Sequence, residues 1–224
     1  MPRLNDLKGS LLLAAILLLA SWSGSALAGD DTACMDAIAA AEPGSPVPPG
    51  ALRAIAVVES GRLIGTRLVP WPWSINANGV GRYYQDKGDA VAAVRGLQAA
   101  GVQSIDVGCM QINLMANPVA FTSLDQAFDP VVNVDYAARL LVSLFQRTGR
   151  WSSAMTSYHS RTPYLAAIYA GRLMAVWPGA AAIGLTAENG PARRPAAPAV
   201  QAPRSQLMLA SAPIHGGAWP LSRR

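Results

Sequence analysis

Glu59 is the residue whose neighbours best suit it to move a proton. It closes the series Leu52, Ile55, Ala56 and Glu59, spaced i, i+3, i+4 and i+7. On a helix that spacing puts the carboxyl group on the apolar face. A carboxyl group taken out of water is harder to ionise, and burial raises its pKa. A glutamic acid still protonated near neutral pH can give its proton to a leaving group. The competing reading is a glutamate near a helix end with its side chain turned to water. Periodicity alone leaves both open.

Three polar or aromatic segments could surround such an acid. Trp71-Pro72-Trp73-Ser74-Ile75-Asn76 offers flat indole faces beside amide groups. That combination suits sugar rings, with C–H faces for stacking and hydroxyls for hydrogen bonds. Tryptophans packed in a core would read the same way. Ile105-Asp106-Val107-Gly108-Cys109-Met110-Gln111-Ile112-Asn113 places a glycine after a short strand, followed by the neutral donors and acceptors Gln111 and Asn113. In Ser157-Tyr158-His159-Ser160, Tyr158 follows Ala154 and Met155 by one turn and should face inward with its hydroxyl available.

These segments carry a resemblance. Glu-Ser-Gly at 59–61, Gly-Cys-Met-Gln-Ile-Asn at 108–113 and Ser-Tyr-His-Ser at 157–160 occur in that order. Together they resemble the signature motifs of lytic transglycosylases of the soluble-lytic-transglycosylase (SLT) type, which have a goose-lysozyme-like fold. The tryptophan hairpin and the Tyr-His-Ser ending resemble a proteobacterial branch of that family. The resemblance spans about residues 34–175. It implies cleavage of the β-1,4 bond between N-acetylmuramic acid and N-acetylglucosamine in peptidoglycan. Glu59 would first protonate the glycosidic oxygen. It would then act as base on the C6 hydroxyl of the muramic sugar, leaving a 1,6-anhydro end. Met110, Gln111 and Asn113 would line the groove, Ser60 would support Glu59, and Tyr158 would hold the acid or the substrate. Trp71 and Trp73 would stack on sugars. Two positions depart from the pattern: His159 stands where asparagine usually follows the tyrosine, and the interval from Glu59 to Gly108 is long.

Ordinary glycosidases use two carboxylates. The candidate partners are Asp86, Asp89 and Asp106. The first two look like helix-start residues, and Asp106 could equally face solvent. A hydrolytic lysozyme therefore stays open, as does a non-catalytic wall-binding or secretion-apparatus scaffold. One histidine of the two, His215, lies in the C-terminal segment, and no metal-ligand spacing, phosphate loop, dinucleotide fingerprint or Gly-x-Ser-x-Gly elbow occurs. No metal and no cofactor is expected, and His159 reads as a hydrogen-bonded structural residue.

The elements that must position these groups are mostly helical. The spacing predicts helices over about 31–42, 49–60, 89–100 and 130–147, another from Ser152 or Ser153, and a last one from Pro163 to Trp177. Gly61 would stop the second of these. A strand over Trp71–Asn76, the turn Asn78-Gly79 and a return strand Gly81–Tyr84 predict one small hairpin. A short strand should cover Val102–Val107. The fold class is mainly α (α+β), and with the resemblance a lysozyme-like helical domain. Cys34 and Cys109 are the only cysteines. A disulfide between them would close a loop of about 75 residues and contribute about 4.5 kcal/mol by chain entropy. Two separate buried thiols are the alternative.

The 224 residues carry a formal net charge of +5. Residues 1–28 read as a cleavable signal peptide, cut after Ala28. Two basic residues precede an apolar run too short for the roughly 20 residues of a membrane span. Residues 29–187 read as the catalytic domain and 188–224 as a disordered, basic, Pro/Ala-rich tail. Residues 29–188 hold eleven Lys/Arg and twelve Asp/Glu, whereas residues 189–224 hold five arginines and no acid. The basic excess therefore belongs to the tail, and nucleic acid loses its support as a partner. The expected partner is peptidoglycan in the periplasm. Secretion, flagellar or pilus machinery is a further possibility, and the protein is expected to be a monomer.

Overall fold

The computed structural model describes residues 29–185. The signal peptide expected at 1–28 and the tail expected at 188–224 lie outside the described residues.

The described residues open with helix α1 (Asp30–Ala41) and a 3-10 turn (Glu42–Gly44). Helix α2 (Ala51–Ser60) follows the stiff Pro48-Pro49 approach and starts two residues later than the proline spacing suggests. Gly50 makes the entry in a left-handed conformation, with φ +78°. Gly61 stops α2, as expected, and with φ −59° it also begins strand β1 (Gly61–Ile64). A Cβ there would sit 2.3 Å from the Val57 carbonyl oxygen, so the helix-to-strand bend requires glycine.

Strand β1 pairs with β2 (Arg67–Pro70) as an antiparallel hairpin that the sequence reading lacks. The second sheet has the order β4-β3-β5-β6, with β3 (Ser74–Ala77), β4 (Val80–Tyr83), β5 (Ile105–Val107) and β6 (Ile112–Asn113). Its pairs are all antiparallel. The expected Asn78-Gly79 turn joins β3 to β4, both residues having positive φ. Instead of one small hairpin the described residues hold a two-stranded and a four-stranded sheet. Register divides the larger sheet by face. Ile75, Val107 and Ile112 share one face, and Asn76, Asp106 and Asn113 lie opposite one another on the other.

Helix α3 (Lys87–Ala99) lies between β4 and β5 and is capped by Asp86, which accepts the Asp89 N–H at 2.9 Å. After a single turn, α4 (Leu124–Ala127), comes α5 (Pro130–Thr148), the longest helix among the described residues. Asp129 caps it by accepting the N–H groups of Val131 and Val132, and Gly149 ends it at φ +69°. Helices α6 (Trp151–His159) and α7 (Pro163–Val176) follow, then a 3-10 segment over Pro178–Ile183.

Two cores result. The larger joins α1, α2, α5, α6 and α7 around Leu52, Ile55, Leu141, Tyr169 and Leu173. The Cys34–Cys109 disulfide is formed and ties α1 to the loop after β5 within it. The smaller packs Val91 and Val94 of α3 against Ile75, Ile105, Val107 and Phe128. The fold is mainly helical with small antiparallel sheets, consistent with the lysozyme-like class expected.

Candidate active site

Glu59 occupies the last turn of α2, where the helix meets the loop after β5. Ser60 fixes that junction. Its buried hydroxyl donates to Ala56 O at 3.1 Å within the helix and to Cys109 O at 2.6 Å in the loop. The Glu59 side chain keeps 15% of its surface exposed, so it is largely buried yet reachable. Burial is the main cause that lifts its pKa from 4.5 to about 7. The Tyr169 hydroxyl lowers it, the Asp106 carboxylate raises it, and the Arg172 guanidinium lowers it. Tyr169 itself is buried, and its hydroxyl contact with Glu59 is looser than a well-formed hydrogen bond. Glu59 on the apolar helix face is thus a carboxyl group about half protonated at neutral pH.

The loop Gly108–Asn113 is built from inside. Gly108 has φ +80°, and a Cβ there would lie 2.6 Å from Asn133 Nδ2. Asn133, wholly buried on α5, accepts Met110 N–H at 2.8 Å and donates to Val107 O at 3.1 Å and Ala127 O at 2.9 Å. Sequence reasoning missed this residue. Gln111 adopts a positive φ of 47°. Its amide donates to Ser74 O, Ser74 Oγ and Gly108 O at 3.0–3.1 Å. Tyr158 donates to Met110 O at 2.7 Å, so α6 holds the loop from the other side. Burial and the charges of Glu59 and Asp106 push the Tyr158 pKa well above its ordinary value, which keeps the phenol a donor.

Asn113 donates to Asp106 Oδ1 at 2.8 Å and Ser104 Oγ at 3.2 Å and accepts Ala116 N–H at 2.8 Å. Asp106 is half-buried rather than in open solvent. Burial raises its pKa and the Asn113 hydrogen bond opposes that rise. His159 stacks flat on Tyr169, with ring centroids 4.7 Å apart, and brings Nδ1 to 4.0 Å from Glu59 Oε1. Its pKa is lowered by partial burial and by Arg172, which favours the neutral ring. His159 is therefore part of the acid's surroundings, beyond the structural part expected of it. The motif position held the signal, but without a partner.

Three residues expected to contact substrate, Trp71, Trp73 and Met110, have buried side chains. Trp71 is only 7% exposed and Trp73 only 8%. They stand in a turn before β3, not in the strand expected over 71–76. Both side chains pack in the smaller core. The Trp71 indole donates to Tyr84 O at 2.7 Å and carries the Arg62 guanidinium 4.5 Å above its ring. Neither indole presents an open face for sugar stacking. Met110 is fully buried, so it meets the site through its backbone. Ser60, expected to support Glu59, holds the helix–loop junction beside it. Gln111, Asn113 and Tyr158 keep partial exposure. Among the described residues no group of three His, Cys, Asp or Glu side chains is arranged to hold a metal ion. Asp86 is a helix cap, as expected, and Asp106 is the carboxylate that acts electrically on Glu59.

Residues 78–162 match the family model described as the Transglycosylase SLT domain. The match begins at the β3–β4 turn and ends before α7. It contains Asp106, Gln111, Asn113, Tyr158 and His159, and it leaves Glu59 and Tyr169 outside. No curated protein and no solved structure matches the chain.

Proposed function

With an SLT transglycosylase domain over residues 78–162 as the premise, we propose that the protein is a lytic transglycosylase that cleaves the β-1,4 bond between N-acetylmuramic acid and N-acetylglucosamine. The observation that carries this reading is Glu59, a largely buried, reachable carboxyl group with a pKa of about 7. Such a group is about half protonated at neutral pH and suits both halves of an acid–base cycle. It gives its proton to the glycosidic oxygen as the bond from that oxygen to C1 of the muramic sugar breaks. The C6 hydroxyl of the same sugar then bonds to C1, and its proton returns to Glu59. The acid is regenerated, no water is consumed, and the product is a 1,6-anhydro end. In this reading Gln111, Asn113 and Tyr158, which keep partial exposure, would offer the glycan strand neutral donors and acceptors.

The basic start, apolar run and small residues of 1–28 support export, with action in the periplasm. Asp106 beside Glu59 favours one second reading, hydrolysis by an activated water. Mass spectrometry of digested peptidoglycan separates the two. Anhydromuramic ends support the transglycosylase, and reducing muramic ends replace it with a muramidase.

A further inference from the structure

Glu59 lies at the end of its helix, and a carboxyl group there needs a cover if it is to stay out of water. The helix supplies only one side of that cover. Against the carboxyl group stands His159, the last residue of α6. Its Nδ1 lies 4.0 Å from Glu59 Oε1. That is too far for a hydrogen bond and too close to admit a water molecule between the two groups. The ring is fixed twice. Its neighbour Tyr158 donates to Met110 O at 2.7 Å, which pins the end of α6 to the loop after β5. Its face lies on the Tyr169 ring, with centroids 4.7 Å apart and planes 6° from parallel. Tyr169 is buried in the larger core, so this platform is rigid. The histidine side chain keeps 39% of its surface exposed, against 15% for the acid. The imidazole is thus the outer layer and the carboxyl group the inner one.

We propose that His159 is a positioning residue for Glu59, a flat cover that shields the carboxyl group from water and holds its side chain by shape rather than by charge. The use of that cover in catalysis rests on the glycan-cleaving reading above, whereas the shielding itself can be measured without it. The charged and titratable groups facing Glu59 are Asp106 from β5, Tyr158 and His159 from α6, and Tyr169 and Arg172 from α7. Those facing the imidazole are Glu59 from α2 and Tyr169 and Arg172 from α7. Partial burial and Arg172 both favour the neutral ring. A cation at this place would help Glu59 to ionise, whereas a neutral cover hinders it. Removing the ring therefore shifts the acid in opposite directions under the two roles, and one experiment separates them.

The test is His159→Ala in the full chain, with its three glutamates carrying 13C at the side-chain carboxyl carbon for NMR. Glu59→Gln identifies the Glu59 signal by its loss. The titration of that signal is expected to move down by about one pH unit, because the carboxyl group gains water. On purified glycan strands the high-pH limb should move with it. That gives about a tenfold loss of kcat at pH 8 and little loss at pH 5, with KM little changed. His159→Phe keeps a flat ring on Tyr169 and can neither titrate nor hydrogen-bond. It should return both the signal and the limb to their wild-type positions. If His159→Ala does not melt as a folded protein, His159→Ser is read in the same way. A Glu59 titration that stays in place in His159→Ala overturns the proposal. One that moves up reveals a lost cation and overturns it too, as does a His159→Phe protein that titrates like His159→Ala. Full activity in Glu59→Gln overturns the glycan-cleaving reading itself, whereas the carboxyl signal still decides this inference.

Discussion

Burying an acid makes the fold sensitive to its proton, and Glu59→Gln measures that directly. The carboxyl group has a pKa of about 7 in the folded chain, against an ordinary value of 4.5 when unfolded. Between those values the folded chain binds more protons than the unfolded one. The stability tied to this group is therefore fully present below about pH 4.5 and is lost as the pH rises through about 7. A displacement of that size corresponds to about 3 kcal/mol, with only a modest discount for a side chain 15% exposed. Glutamine has nearly the same shape and never ionises. Glu59→Gln should match wild type at pH 4 and exceed it by about 2–3 kcal/mol at pH 8, or roughly 5–10 °C in Tm for a chain of this size. Thermal melts of both proteins at the two pH values check this, and the comparison cancels the titration of all other groups. A stability difference that is the same at pH 4 and pH 8 would refute the claim that burial governs this carboxyl group. A gain in stability with loss of activity is the signature of a group strained for function.

Three further outcomes follow from the same contacts. Asn133→Ala leaves the Met110 N–H and the Val107 and Ala127 carbonyls buried without their partner. It should cost about 3–5 kcal/mol in urea unfolding and loosen the loop that carries Gln111; a loss under about 1 kcal/mol would contradict the assigned hydrogen bonds. Cys34→Ser with Cys109→Ser should lower stability by up to about 4.5 kcal/mol, seen as a matching drop in Tm when wild type is reduced. Removal of residues 188–224, which hold most of the basic excess, should leave Tm and glycan cleavage unchanged; a lower Tm would show that the tail supports the domain.

What the sequence made legible was local. Glu59 was visible because a charged residue on an apolar helix face has few explanations, and Cys34 and Cys109 because they had no other partner. The Asn78-Gly79 turn and the Asp129-Pro130 helix start declared themselves by residue type. The sites of Trp71 and Trp73 depend on what covers them. A tryptophan pair in a proline-bounded segment reads alike in a groove and in a core, and only the packing of α3 decides. Hairpin β1–β2 hid because Leu63, Ile64 and Leu68 are partly exposed apolar residues without alternation. Asn133 was overlooked although it sits beside Val134 and four residues before Ala137, on the same kind of apolar face that exposed Glu59. Tyr169, Arg172 and His159 come from α7 and the end of α6, and only the tertiary fold brings them to the acid.

The central claim is that Glu59 drives a cleavage in which the substrate supplies its own nucleophile. Its most direct test is mass spectrometry of peptidoglycan digested by wild type and by Glu59→Gln. The expected result is muropeptides with 1,6-anhydromuramic ends, lighter by one water than reducing ends, released by wild type and absent with the variant. Anhydro ends that persist with Glu59→Gln, or reducing ends from wild type, would contradict it.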